Sequence, residues 1–212
     1  MKRILFFLSV IFVVTLSYLI PSSEFMLLVL IALALLFLLV CGFILIFKNI
    51  NRRYFKIPLL IIGICFLGVV VSLFRPYEKS AVMTSGSLGK KLQYAYETDQ
   101  NDRKQLRSFI GLFSKLNERD DKRLTQVKEL SQDRKLLKPM DKFYAAFIYH
   151  HSDNSTDYET ASKLSAQAAE SEKLQDHYQV QWLKKAAYDR YMVSLGKPEK
   201  YNTQNSFGIK VE

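Results

Sequence analysis

Residues 186–204 read AAYDRYMVSLGKPEKYNTQ and end the part of the chain that is rich in charged residues. The apolar side chains of the first half recur at helical spacing. Gly196, followed two residues later by Pro198, predicts the end of this helix. The dipeptide Asp189-Arg190 lies about two turns before that stop, and the tail that follows is polar. We therefore expect the stretch to pack its helix on a helical body and to place an acid and a base near the helix end.

The 212 residues divide into two parts of different composition. Residues 1–74 are almost all apolar, with six Lys/Arg and one acid, whereas residues 75–212 hold 24 Lys/Arg and 19 Asp/Glu. Each part therefore contributes +5 to the net charge of +10. In the polar part both signs are mixed along the sequence, which is typical of a solvated surface and not of a nucleic-acid-binding stripe, so we expect no nucleic acid partner.

Three apolar runs predict a membrane block in residues 1–74, and they span about residues 4–20, 25–47 and 57–74. Each is long enough to cross the ~30 Å hydrocarbon core as a helix. The first run lacks a small-x-small cleavage site, so we interpret it as an uncleaved span and not as a signal peptide. No ionisable side chain lies in the middle of a run, which argues against a pore or transporter. We predict an anchor in the lipid bilayer.

The charges that flank the runs predict the orientation of the chain. The first connector, Pro21–Glu24, has no Lys or Arg. The N-terminus and the second connector hold the positive charges, namely Lys2, Arg3, Lys48, Arg52, Arg53 and Lys56. The positive-inside rule places both in the cytoplasm, and three spans then place the polar part on the other side of the membrane. We therefore predict a multi-pass protein with an extracytoplasmic C-terminal domain.

The polar part predicts helices throughout and no strand of useful length. Pro139 opens one helix, and Thr156 with Glu159 reads as a capping box at the start of another. The predicted fold class is all-α, with three transmembrane helices followed by a soluble bundle of about five or six helices. Beyond the membrane block, the predicted divisions are a linker at 75–87, a soluble domain at 88–204 and a tail at 205–212.

His151 and Asp153 flank the predicted end of a helix, where a cationic histidine is favoured and an aspartate can orient its ring. With Asp189 and Arg190 they form a candidate catalytic set of a hydrolase-type enzyme. A metal would need a third ligand, such as Asp189, but the spacing matches no zinc signature, so we predict no metal. The alternative interpretation is structural: His151 and Asp153 cap main-chain groups, and Asp189 pairs with Arg190. The cofactor is unknown.

Five short motifs follow one another in the polar part: DQNDR at 99–103, HSD at 151–153, DR at 189–190, GKP at 196–198 and YNTQ at 201–204. In this order they resemble the bacterial family named domain of unknown function 6624. The resemblance covers about residues 88–204 and not the membrane spans. A bacterial family together with the predicted spans indicates a protein of the bacterial inner (cytoplasmic) membrane. Carried over by position, the polar set of the family falls on Gln100, Arg103, His151, Asp153, Asp189, Arg190, Gly196, Lys197, Tyr201 and Gln204.

The resemblance implies site residues but no reaction, since the family has no assigned activity. Its ligand-binding candidates are Gln100, Arg103, Lys197, Tyr201 and Gln204, beside the four catalytic candidates. Two positions depart from the family pattern: Glu199 replaces a usual Gln, and Asn202 replaces a usual Gly. Asn tolerates the left-handed backbone that Gly allows, so the turn can survive, whereas the charge of Glu199 alters any ligand contact.

We conclude from the sequence that the chain is a membrane-anchored extracytoplasmic helical domain that binds a protein partner or an anionic small ligand. The alternative is a hydrolase-type enzyme with His151 as base, oriented by Asp153, and with Asp189, Arg190 and Lys197 around an anionic substrate.

Overall fold

The structure is a computed structural model that describes residues 2–48, 51–77, 79–133, 136 and 138–204. Within these residues the chain forms α-helices and two short 3₁₀-helices and no strand, which confirms the all-α class. The predicted tail at 205–212 lies outside the described residues. The helices are α1 (Lys2–Leu19), α2 (Ser23–Phe47), α3 (Arg53–Leu73), α4 (Leu88–Arg103), α5 (Leu116–Asp133), α6 (Pro139–His150), α7 (Ser155–Ala169) and α8 (Tyr178–Ser194), with 3₁₀ turns at Leu106–Phe109 and Glu172–Leu174.

The chain forms two compact units. The apolar unit comprises residues 1–78 and 102–115, and the polar unit comprises residues 79–101 and 116–212. The boundary falls inside α4, so the segment after it belongs with the three N-terminal helices. Sequence composition placed this segment in the soluble domain, because it is as rich in charge as the residues around it.

Two helices of the apolar unit, α2 and α3, are long and apolar enough to cross a membrane. The apolar part of α1, Arg3–Leu19, is shorter, so the predicted layout of three spans is met only in part. The helix ends there because Pro21 disfavours helical backbone at the residue before it. Ser22 then adopts a left-handed φ of 66°, and the chain reverses into α2.

Gly68 of α3 lies close to side chains of both α1 and α2. A Cβ atom at this position of α3 would lie 2.7 Å from the Val13 Cγ1 of α1 and 2.7 Å from the Leu27 Cδ1 of α2. It would also lie 2.8 Å from the Ser17 Oγ. A larger residue would force these side chains to shift, so the glycine permits close packing of the helices, as small residues do between apolar helices.

A buried ion pair joins the ends of the apolar helices. The Arg75 guanidinium lies 3.3 Å from the Glu24 carboxylate, and their side chains are 3% and 2% exposed. The Arg75 Nε also donates to the Tyr18 carbonyl at 3.1 Å, which satisfies an end of α1 that has no helical partner. The second Glu24 oxygen accepts from the Leu106 N–H at 3.1 Å. The pair thus fastens α1, α2 and the 3₁₀ turn together.

The segment 102–115 packs on the apolar helices through several contacts of its own. The Ser22 hydroxyl donates to the Lys104 carbonyl at 2.9 Å, and the rings of Phe74 and Phe113 meet edge to face at 5.3 Å. Two apolar side chains at the tip of the segment are exposed: Phe109 is 71% exposed and Leu112 is 88% exposed.

The polar unit is built around α6, most of which is buried. Its aromatic side chains Phe143 and Phe147 pack with Tyr96 of α4, at ring distances of 5.3 and 5.0 Å. On the other side α7 presents the small residues Ala161 and Ala168, which are fully buried and permit close packing of the helices. Five α-helices, α4 to α8, contribute to this unit in the described part of the chain, in line with the predicted bundle of five or six.

In the polar unit, the first residues of α6 and α7 test the helix starts that the sequence predicted. α6 begins at Pro139 as predicted. α7 begins at Ser155, where the Asn154 side chain caps the Asp157 N–H at 2.9 Å, so the capping box on Thr156 and Glu159 is wrong. Asn154 provides the same acceptor two residues earlier.

Gly196 ends α8 as predicted, with a left-handed φ of 69°. Its N–H donates to the Val193 carbonyl at 2.9 Å, and the Lys197 N–H donates to the Met192 carbonyl at 2.9 Å. These two bonds form the Schellman motif that a glycine after a helix makes possible. Asn202 has a φ of 55°, so the left-handed backbone expected at this position is also present.

Candidate functional site

A pocket of about 220 Å³ lies in the polar unit, between α4, the first turns of α5 and the turn from α6 to α7. It is lined by Asp99, Asn117, Asp120, Asp121, Arg123, Leu124, Ile148, His151, Ser152, Asp153 and Asn154. Four of these side chains are aspartates and one is an arginine, so the lining has a formal charge of −4 + 1 = −3 when the histidine is neutral. A net negative pocket contrasts with the charge of +10 on the whole chain.

The imidazole of His151 pairs with Asp99 at this pocket. Its Nδ1 lies 3.1 Å from the Asp99 Oδ1, and the Asp99 side chain is fully buried. The other Asp99 oxygen accepts from the Gln100 Nε2 at 2.9 Å. The sequence suggested Asp153 as the residue that orients His151, but Asp153 is exposed on the pocket wall and Asp99 makes the contact.

The end of α6 positions the His151 ring. The helix stops at His150, and the His151 N–H donates to the Ile148 carbonyl at 3.1 Å. The ring of Phe147 packs edge to face with the imidazole at 5.1 Å. The end of α6, the Phe147 ring and the Asp99 carboxylate together fix the position of the imidazole at the pocket.

Arg123 is fully buried beneath the pocket and joins two helices. Its Nη1 donates to the Asp120 Oδ1 at 2.7 Å, and its Nε donates to the Thr98 hydroxyl of α4 at 3.2 Å. A buried guanidinium with these partners neutralises one of the four carboxylates and fixes α5 against α4.

Asp157 holds the turn that carries His151 and Asp153. One of its oxygens accepts from Ser152 at 2.6 Å, from Asn154 at 2.7 Å and from Lys128 of α5 at 2.7 Å. Burial alone would raise the pKa of Asp157, but the hydrogen bonds from Lys128, Ser152 and Asn154 outweigh it and lower the pKa below the ordinary value. Asp157 therefore stays charged and keeps the pocket wall in place.

Asp189 fastens the tail to α8. Its carboxylate is fully buried and accepts from the N–H groups of Lys200 at 2.9 Å, Tyr201 at 3.1 Å and Thr203 at 3.0 Å. The Thr203 hydroxyl donates to it as well, at 2.8 Å. Burial acts to raise the Asp189 pKa, but the bonds from Thr203 and Lys200 dominate and lower it. Both carboxylate oxygens of Asp189 therefore hold the tail against α8.

Arg190 and Gln204, two other predicted site residues, also contact other parts of the polar unit. The Arg190 guanidinium lies 5.0 Å from the centre of the Tyr158 ring, a cation–π contact between α8 and α7. The Gln204 side chain donates to the Ala186 carbonyl at 3.3 Å, and its N–H donates to Glu199 at 2.7 Å. Glu199, the departure from the family pattern, therefore caps the tail.

The structure divides the predicted site residues between two places. His151 and Asp153 line the pocket, and Gln100 touches it through Asp99. Asp189 and Arg190 are not among the described residues that line it; with Gln204 they bind the tail to its helices. Lys197 and Tyr201 are exposed in the tail, and Arg103 lies in the last turn of α4.

Sequence reasoning missed four important side chains. These are Asp99 as the partner of His151, the buried Arg123, the lining residue Asp120, and Asp157 in the turn. The spacing of Asp120 and Arg123, three residues apart on one helix, was the one signal available for that pair. The pairing of Asp99 with His151 joins residues 52 positions apart, which no local pattern records.

The pocket can bind a cation, or it can use an oriented imidazole as a base. Among the described residues, no group of three or more His, Cys, Asp or Glu side chains could hold a metal ion. Compared with protein-family models, with curated proteins and with solved structures, the chain shows no match.

Proposed function

We propose that the chain is a membrane-anchored, extracytoplasmic helical domain that binds a positively charged group in the pocket around His151 and Asp99. The observation that carries the proposal is the net negative lining of a pocket in a basic protein. Its volume of about 220 Å³ is smaller than the ~300–1,000 Å³ of sites for whole small molecules. It therefore fits a single amine or guanidinium group, such as a lysine or arginine side chain of a protein partner.

This ligand differs in sign from the anionic ligand expected from the sequence. Arg190, which suggested an anion, packs on Tyr158 instead of lining the pocket. An anion at the wall would meet the carboxylates of Asp120, Asp121 and Asp153, and like charges repel strongly when partly desolvated.

The anchor in this proposal comprises all three apolar helices. α2 and α3 have the length and hydropathy of spans. α1 has 18 residues, or about 27 Å of helix, which nearly matches the hydrocarbon core. Its side chains Ile4 and Phe12 are each 64% exposed, which a soluble helix would avoid but a lipid-facing helix requires.

The segment 102–115 belongs to the apolar unit and supports the anchor at the membrane interface. Phe109 and Leu112 are exposed at its tip, and Phe113 packs on Phe74, directly after the end of α3. Exposed aromatic and apolar groups beside the end of a span suit the membrane interface. A Leu112→Trp variant in vesicles should show fluorescence quenching by lipids brominated in the acyl chains.

The orientation follows from the positive charges at the N-terminus and after α2, as argued above. We place the protein in the inner membrane of a bacterium, with its N-terminus in the cytoplasm. Alkaline phosphatase fused to the C-terminus should be active, and a green fluorescent protein fused there through the same export route should be dark. The reverse pattern would overturn the orientation.

Calorimetric titration of the full chain in detergent micelles tests the binding proposal. Agmatine, which carries an amine and a guanidinium, should bind, and added salt should weaken it. Asp153→Asn should weaken binding by about fivefold, because it removes one exposed charge from the wall. Asp176→Asn is the matched control, an exposed aspartate that does not line the pocket. Equal effects of the two variants, or binding of acetate in place of agmatine, would contradict the proposal.

The alternative function is a hydrolase-type enzyme, which the His151–Asp99 pair favours, with Asp99 in the orienting role. Turnover of ester, amide or phosphate-ester substrates should then be lost in His151→Gln and retained in Asp153→Asn. A wild-type chain that binds agmatine and turns over none of these substrates would leave the binding domain as the function.

Membership of the domain of unknown function 6624 family is part of the proposal. It is supported by the connected roles of Asp189, Gly196 and Asn202 in one closed tail. A set of homologous sequences that keeps these three positions and the 151–153 motif together would test it.

A further inference from the structure

A second cavity lies in the apolar unit, as a groove of about 430 Å³ between α2 and α3. Its walls are Leu30, Leu33, Ala34 and Phe37 of α2 and Arg53, Tyr54, Ile57, Pro58 and Ile61 of α3. On α2 the residues recur every three or four positions, so they form one face of the helix. The groove is therefore apolar along both helices and open on one side.

The two ends of the groove differ in chemistry. Arg53 and Tyr54 occupy the first turn of α3, whereas Ile61 lies eight residues further along the helix, or about 12 Å away. The two polar side chains among the lining residues thus lie at one end, and they contribute mainly their apolar atoms to a groove whose surface is almost entirely apolar. A ligand that fills the groove must have a long apolar chain, and its end beside the exposed Arg53 can carry a polar group.

The charge around Arg53 selects the sign of that terminus. Arg52, Lys56 and Lys48 are close to Arg53 in sequence. The sequence has no Asp or Glu between Glu24 and Glu78, and Glu24 is paired with Arg75. The start of α3 adds the positive end of a helix dipole to the Arg53 side chain. An anionic group therefore complements this end of the groove.

We propose that the groove binds one acyl chain of an anionic phospholipid, with the phosphate at Arg53. The inference rests on the proposed membrane anchor, which places this end of α3 in the cytoplasmic leaflet. Basic pockets between membrane helices on that side bind anionic head groups, and the leaflet itself is rich in them. The bound lipid fills a surface of α2 and α3 that helix packing leaves open.

Native mass spectrometry of the full chain tests the site. The chain is extracted from vesicles of equal phosphatidylglycerol and phosphatidylcholine with identical acyl chains, and the retained lipid is measured. The wild-type chain should retain one phospholipid, with phosphatidylglycerol enriched about tenfold over phosphatidylcholine. Arg53→Gln should bring the ratio close to that of the vesicles. Arg52→Gln is the matched control, because it removes the same charge one residue away from the lining, and it should keep most of the enrichment.

A variant with a larger side chain in the groove tests the site independently of the charge. Leu33 lines the groove and is 57% exposed, so Leu33→Trp should reduce the retention of both lipids without overpacking the helices. Leu36→Trp is its control, since Leu36 is 59% exposed and is not in the lining. Vesicle-like lipid ratios in the wild-type chain, or equal losses in Arg53→Gln and Arg52→Gln, would overturn the site. A lipid-free dimer would assign the groove to a second copy of the chain.

One experiment distinguishes an incorrect membrane-anchor proposal from an incorrect phospholipid-site proposal. A chain that alkaline carbonate releases from membranes contradicts both proposals. A chain that stays in the membrane pellet but shows no lipid preference contradicts only the phospholipid site.

Discussion

Asp189 and Asp99 are both fully buried carboxylates of the polar unit, but their surroundings differ. Asp189 accepts from three main-chain N–H groups and a hydroxyl of the tail. Asp99 shares a hydrogen bond with a titratable side chain, His151, at the wall of a pocket. A carboxylate bound to main-chain donors fixes a fold, whereas one paired with an imidazole at a pocket can act on a ligand. The tail and the pocket are therefore two regions with two roles.

The largest expected effect comes from removing the charge of Asp189. Asp189→Asn keeps the shape but directs an NH₂ group at the N–H donors of Lys200 to Thr203, so several buried groups lose their acceptor. We expect the free energy of unfolding of the polar unit to fall by about 3 kcal/mol. Urea unfolding followed by the fluorescence of Trp182, the sole tryptophan and a residue of α8, measures it.

The control for this variant is Asp153→Asn in the pocket wall. Asp153 is exposed, so its loss should change the stability by no more than about 0.5 kcal/mol. Similar losses in the two variants would mean that the tail and the wall are not distinct in role.

The next largest effect is expected at Asp157, which supports the pocket from behind. Asp157→Asn breaks the ion pair with Lys128 and weakens the bonds from Ser152 and Asn154. We expect a loss of about 2 kcal/mol in stability and weaker agmatine binding, because the turn that carries His151 loosens. A variant with weaker stability but unchanged affinity would show that the turn does not set the pocket geometry.

A smaller effect is expected at the helix stop. Gly196→Ala places a Cβ on a residue with a φ of 69°, which should destabilise the polar unit by about 1 kcal/mol. Gly196→Asn should lose less, since Asn adopts this conformation more readily. Agmatine affinity should not change in either variant if the tail is only structural.

The pH dependence of stability should show the smallest difference between the regions. The pKa of Asp189 is lowered by its hydrogen bonds, against the effect of burial. A native pKa below the unfolded value of about 3.9 adds stability above that pH, and the contribution disappears as the pH falls through the native value. Unfolding free energies at pH 5 and pH 3 should therefore differ less in Asp189→Asn than in the wild-type chain. An equal difference would exclude Asp189 as a source of acid sensitivity.

The sequence predicted features that depend on neighbouring residues. It predicted the all-helical class, the start of α6 at Pro139 and the helix stop at Gly196. Each depends on the backbone preferences of a few consecutive residues. Hydropathy is also a local property, and it indicated the two helices that are long and apolar enough to cross a membrane.

Features that depend on packing were not predictable in this way. Glu24 and Arg75 read as ordinary connector charges, yet they form a buried pair across 51 positions. Asp189 read as a catalytic candidate, because the sequence does not show that the tail returns to it. The partners of a charged side chain depend on how the helices pack, and periodicity records only which face is apolar.

Hydrogen exchange in the full chain tests the separation of tail and pocket most directly. The amides of Lys200, Tyr201 and Thr203 donate to Asp189, so Asp189→Asn should make exchange in residues 200–203 much faster while residues 148–158 remain as protected as in the wild-type chain. Comparable loss of protection in both segments under conditions of local opening would contradict the account, because it would make the tail and the pocket one cooperative site.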